Sequence, residues 1–156
     1  MFDVPLDAWY TWLGLALASV VVFGVAQALP TTPAPDAEGV AETIDRVAAS
    51  EYEATAEHPL HARTVRVGPS RVSLRTDDGT VHAAYAFGPV TPVGDGTKLD
   101  RVLRGAPPTA VFDSEAEFRA AVGEARDRTP QWQRADDPLV VRRLSWRETD
   151  VTLVGA

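Results

Sequence analysis

Residues 8–29 form a run of 22 positions without a charged side chain, and this run restricts what the N-terminal end of the chain can become. As a helix rising about 1.5 Å per residue it reaches roughly 33 Å, enough to cross a hydrocarbon core of about 30 Å. Apart from aromatic rims, its polar side chains are Thr11, Ser19 and Gln27. Trp9, Tyr10 and Trp12 crowd its first turn, where rings with one wet edge settle at headgroup level. The pattern predicts a short head over residues 1–7 and a transmembrane helix over residues 8–29. A Pro/Thr-rich stalk over residues 30–36 and a soluble domain over residues 37–156 follow.

A cleaved signal peptide is the competing reading. Ala26-Gln27-Ala28 fits the small-x-small pattern before a cleavage point. The leader, however, carries Asp3 and Asp7 and no basic residue, and the apolar run is long for a signal, so the retained anchor is favoured. No Lys or Arg precedes Arg46, which leaves the positive-inside rule nothing to count. The spacer points to a soluble domain outside the cytoplasm, with a linker on the cytoplasmic side as the other reading.

The remaining roughly 120 residues suffice for one packed domain. With no cysteine, neither a disulfide framework nor a thiolate metal site is available. The 22 acidic residues exceed the 15 basic ones, giving a net charge of -7. No basic patch is evident in the linear sequence, which argues against a nucleic-acid partner.

Asp36 is placed as an N-cap, and Val40, Ile44, Val47 and Ala48 recur at helical spacing, so residues 37–49 read as a short amphipathic helix. Strands follow over residues 63–67, 71–76 and 80–87, with Val72 and Leu74 facing inward and Arg71, Ser73 and Arg75 outward. Val81, Ala83, Tyr85 and Phe87 share one face of the third strand, and Asp77-Asp78-Gly79 supplies a tight turn before it. Residues 89–97 form a Pro/Gly loop, either a contact loop or a crossover between layers. Leu99, Val102 and Leu103 suggest a turn or two of helix, and residues 109–112 a short strand. Ser114 and Glu117 make a capping box for a helix whose buried stripe is Phe118, Ala121, Val122 and Ala125. Glu115 with Arg119, and Glu124 with Arg128, pair on its wet side. Residues 139–147 and 151–154 form a closing hairpin around Glu148-Thr149-Asp150. The class is α+β: a transmembrane helix, a short amphipathic helix, and a small antiparallel-sheet domain with one or two packed helices.

Catalytic constellations are sparse. His58 and His61 have metal-ligand spacing, but Pro59 opposes a helix and no third ligand is apparent, so exposed loop histidines are expected. His82 is placed on a solvated strand face. Asp77-Asp78 and Asp136-Asp137 are paired carboxylates in turn contexts, which suits solvation or weak cation binding better than acid–base work. Gly94-Asp95-Gly96 lacks the lysine of a phosphate loop, and no serine has a nucleophile-elbow setting. Expected catalytic, cofactor-binding and metal residues are therefore none. Trp132 and Trp146, near Arg134, Arg142, Arg143 and Arg147, are residue types that anchor protein interfaces. The alternative is that both indoles complete a core. Trp132, Trp146, Arg142 and Arg143 are the candidate interaction residues.

The layout of residues 8–29, of Val40 to Ala48, and of Val65-Arg66-Val67-Gly68 through Arg71-Val72-Ser73-Leu74 resembles a pilin-type subunit. More narrowly, the acidic, lysine-poor chain resembles uncharacterised single-pass membrane proteins of halophilic archaea, some of which accompany type IV pilus-like or secretion machinery. No basic residue precedes the apolar run, and Pro30, Pro33 and Pro35 break the helix that a pilin continues. The resemblance thus implies an accessory or pseudopilin-like role rather than filament incorporation. The expectation is a single-pass cell-membrane protein held in the bilayer by residues 8–29. Its non-enzymatic domain contacts membrane or surface proteins; an anchored small-ligand or cation-binding domain is the alternative.

Overall fold

The computed structural model describes residues 12–21 and 35–156. The head, residues 8–11 and 22–29 of the uncharged run, the stalk over 30–34 and the candidate cleavage point at Ala28 lie outside the described residues. The chain divides into two compact units, Met1–Pro33 and Ala34–Ala156.

Within the first unit residues 12–21 are helical (α1), and Trp12, Leu15, Leu17, Val20 and Val21 are all exposed. Among the described residues no helix is long and apolar enough to cross a membrane. The expected span over residues 8–29 is therefore described only through its middle.

The second unit is α+β, with two four-stranded sheets and four helices. Its first helix, α2 (Ala37–Ala48), begins where Asp36 accepts the Gly39 N–H, as the sequence predicts. The first sheet has the order β1 (Ala54–His58), β7 (Leu139–Trp146), β8 (Thr149–Gly155) and β5 (Thr91–Pro92). The second has the order β4 (Gly79–Ala84), β3 (Arg71–Thr76), β2 (Thr64–Val67) and β6 (Gln133–Arg134). Helices α3 (Lys98–Leu103), α4 (Pro108–Val111) and α5 (Glu115–Asp127) occupy the stretch between β5 and β6.

Helix α2 touches both sheets. Its Val40, Ile44 and Val47 join Val65, Val67, Val72 and Leu74 of the second sheet and Leu139, Val141 and Val154 of the first in one core. A second core lies on the other face of the first sheet. There Leu144, Val151 and Leu153 meet Leu99, Val102 and Leu103 of α3 and Phe118, Val122 and Ala125 of α5. The alternation along β7 and β8 sends successive side chains to these two cores.

The β2–β3–β4 meander matches the sequence expectation, and Gly79, with φ 149°, closes the two-residue turn at Asp77-Asp78. The third strand stops earlier than expected, at Ala84, because the Asp45 carboxylate on α2 accepts the N–H groups of Ala86 and Phe87 and draws the chain off the sheet. Phe87 is consequently 54% exposed instead of sharing the inner face. The Pro/Gly segment acts as the crossover between sheets and contains β5, which runs parallel to β8, so the first sheet is not wholly antiparallel. The expected strand at 109–112 is instead the single turn α4, started by Pro108, whose fixed φ suits a helical first position. Strand β1 was not expected: its Ala, Glu and His residues have weak strand preference, and pairing with β7 organises it. The closing hairpin turns at Arg147-Glu148, one step before the expected turn, with Arg147 at φ 55°.

Ser114 accepts the Glu117 N–H at the start of α5, while the Glu117 carboxylate accepts the Asp113 N–H and pairs with Lys98 of α3. Glu115 and Arg119 form the expected pair. The Glu124–Arg128 side-chain pair is not formed; Arg128 donates its backbone N–H to the Glu124 carbonyl.

Two outcomes are expected. Ile44 is fully buried between the sheets, so Ile44→Ala costs about 2–5 kcal/mol in a denaturant titration of the full chain. The Lys98 hydrogen bond holds the Glu117 carboxyl below its usual value, and the Thr149 hydroxyl does the same for Glu115. Such groups contribute stability that is complete above the ordinary glutamate range, about 4.3, and is lost as pH falls through the lowered folded value. The melting temperature therefore drops on acidification through that window, and Glu117→Gln flattens the drop.

Candidate interaction surface

One face of the β4–β3–β2–β6 sheet faces the core through Val65, Val67, Val72 and Leu74. Strand alternation sends Arg66, Arg71, Ser73 and Arg75 to the other face. Register adds His82, opposite Ser73, and Arg134, opposite Thr64. Trp132, just before β6, lies against this face with the guanidinium of Arg75 at 4.0 Å and that of Arg66 at 4.7 Å from its ring centroid. Arginine planes stack on an indole both electrostatically and by contact, so the ring holds both cations in place. Arg71, Arg75, His82 and Arg134 are exposed.

The result is a sheet face bearing four arginines, Arg66, Arg71, Arg75 and Arg134. No basic patch is visible in the linear sequence because these arginines come from three separate segments that only strand pairing brings together. Ser73, expected outside, does point to this face but is buried, lying in register between Arg66 and His82. The Thr64 hydroxyl beneath the same layer is buried with no hydrogen-bond partner among the described residues.

The other candidate residues take different places. Trp146 packs on Phe118, 5.6 Å between ring centres, and belongs to the second core. Arg142 and Arg143, adjacent on β7, point to opposite faces of their sheet. Arg142 donates Nη1 to the Val102 carbonyl at the end of α3, and Arg143 donates Nη1 to the Ala48 carbonyl at the end of α2. Each places a cation where the helix dipole is negative; the Val102 carbonyl also accepts the Gly105 N–H. Both arginines are thus structural ties, half-buried rather than free anchors.

The titratable residues are dispersed. His58 ends β1 and its Nδ1 lies 3.0 Å from the Thr43 hydroxyl, not in a loop as expected. His61 and His82 are exposed. Asp77 pairs with Arg63 at 2.6 Å, and Asp78, Asp136 and Asp137 are exposed. Among the described residues no group of three metal-ligating side chains assembles. Tyr85 is half-buried, its hydroxyl pushed well above the ordinary tyrosine value by burial and by the nearby Asp45 carboxylate. Such a phenol stays neutral.

Trp132→Ala is expected to lower the unfolding free energy by about 1–2 kcal/mol, the sum of two modest cation–π contacts and lost packing. Trp132→Phe recovers about half, read by denaturant titration.

No curated protein and no solved structure matches this chain. A family model matches residues 3–144, a range that includes the uncharged N-terminal run, the Arg–Trp face and most of β7. The chain belongs to the Family of unknown function (DUF7283).

Proposed function

We propose that this protein is a membrane-anchored, non-enzymatic domain held outside the cytoplasm, which docks an acidic protein surface as an accessory, pilin- or pseudopilin-like component of a surface or secretion assembly. The observation that carries this reading is the outer face of the second sheet, which bears Arg66, Arg71, Arg75 and Arg134, the guanidinium groups of Arg66 and Arg75 stacked on Trp132, on a chain of net charge -7. Arginine and tryptophan are the residue types that dominate interface energetics, and a field of one sign selects a partner of the other. Trp132 is already stacked by two guanidinium groups, which leaves it poorly placed to stack a nucleic-acid base. A protein partner fits better. The uncharged run over residues 8–29, helical over its described part, supports the anchor, and it lies within the family match.

The test is photocrosslinking of the full chain in its own membranes, with a photoreactive residue in place of His82. The expected result is one dominant adduct to an acidic neighbour, reduced at least about tenfold in an Arg66→Gln, Arg75→Gln variant. Recovery of the uncrosslinked chain alone, or of a shortened chain free of the membrane fraction, overturns the reading.

A further inference from the structure

The first sheet has an open edge. Strand β5 is two residues long and pairs only with Leu153 and Val154, so the β8 segment over residues 150–152 has no strand neighbour on that side. Val93 donates its N–H to the Val154 carbonyl at 2.8 Å, which shows that the Val154 peptide groups point toward β5. The two-residue alternation then points the peptide groups of Asp150 and the N–H of Thr152 toward the same side; the Thr152 carbonyl is taken by the Thr91 N–H, as the parallel Thr91–Leu153 pairing requires. The preceding crossover does not fill the gap. The N–H groups of Ala86 and Phe87 go to Asp45, Pro89 has none, and the Val90 N–H goes to the Pro69 carbonyl.

Along this edge runs a cleft of about 350 Å³ lined by Phe87, Pro89, Arg126, Arg143, Asp150 and Thr152. Arg126 reaches it from α5. Its Nε donates to the Thr91 hydroxyl at 2.9 Å, and it has no ion-pair partner among the described residues. Burial draws its pKa below the ordinary arginine value, yet the group remains charged. A half-buried guanidinium without a carboxylate is costly to maintain unless something charged meets it. On the other face of the sheet, Asp150 and Thr152 share their side with Arg143, and Phe87, exposed and lining the cleft, has its backbone N–H held by Asp45 of α2.

We propose that this cleft binds an extended acidic peptide, which adds as a strand beside β8 and places a carboxylate on Arg126. The backbone edge supplies the main-chain hydrogen bonds, and the two faces set the side chains. Because Arg126 stands on the α5 side while Phe87 and Asp150 stand on the other, the peptide alternates acidic and apolar residues. A bidentate contact to Arg126 selects carboxylate over amide. This site is separate from the Arg–Trp face and lies on the other sheet.

The probe is a fluorescent peptide of about six residues alternating valine and glutamate, titrated by anisotropy against the full chain in detergent. It is expected to bind at least about tenfold more tightly than the valine–glutamine peptide, and a similar loss is expected in Arg126→Gln. Methylating alternate peptide nitrogens on the edge-facing side removes the strand hydrogen bonds and weakens binding comparably. This comparison uses the unaltered chain, so it holds even if Arg126→Gln fails to fold. Equal binding of the methylated peptide, full displacement by an equal concentration of free glutarate, or self-association of the chain in place of peptide binding each overturns the proposal. The Arg66→Gln, Arg75→Gln variant is expected to bind the peptide normally, so failure here and failure of the Arg–Trp docking face are told apart.

Discussion

Two four-stranded sheets share one short helix, and α2 is the element that makes them a single domain. A helix of twelve residues is marginal in water, so its stability comes from what it buries. Ile44 and Val40 are almost completely enclosed, and Ala37, Ala41 and Val47 extend the same buried band toward both sheets. Without that band, the inner faces of both sheets would stand open to water. Both ends of α2 are fixed independently: Asp36 caps the start and Arg143 ties the last carbonyls. Midway, Asp45 receives the N–H groups of Ala86 and Phe87, so the helix also dictates where the chain leaves one sheet for the other. The wall of the cleft beside β8 is a consequence of that grip.

The first sheet is held from both sides by a charge arrangement that hydrophobic patterning does not reveal. Arg142 and Arg143 are consecutive, so a strand sends them to opposite faces, and each face presents the end of a helix. Two adjacent like charges are tolerated because each meets backbone carbonyls at the negative end of a helix rather than the other. In sequence the pair looks like an exposed basic anchor. In the fold it terminates α2 and α3.

What was legible in the sequence was whatever local periodicity determines. Helix α2 with its Asp36 cap, the Val72–Leu74 strand with its Asp-Asp-Gly turn, and α5 with Ser114 at its start all carry their signals within a few residues. Elements defined by distant partners were not legible. Strand β5 lies in a Pro/Gly stretch and exists only because β8 is beside it; β1 alternates Ala with Thr and Glu and depends on β7. The Arg–Trp face falls in the same class. Trp132 is an interface candidate from its residue type, but Arg75 reads as an ordinary outward residue and Arg66 carries no signal, since nothing local says that an indole some sixty residues away lies across them. Arg126 gave no signal either, because a charged residue beside a helix's buried stripe reads as solvated.

The distribution of charge follows from these placements. Acidic residues collect where helices meet solvent, as with Glu38 and Glu42 on α2, and several are neutralised locally, as in the Glu42–Arg46 and Glu115–Arg119 pairs. The arginines of the second sheet have no such partners at helical spacing. Strand geometry sets them beside one another instead, and Trp132 offsets part of their mutual repulsion by presenting its negative ring face to two of them. The repulsion left over is a reason for this face to meet an oppositely charged surface, because binding one relieves a cost already present in the free domain. The same reasoning applies to Arg126 in its cleft, where the cost is desolvation rather than repulsion. One chain of net negative charge thus carries arginines, unpaired among the described residues, in two different settings: on an open sheet face, and in a cleft beside a strand edge.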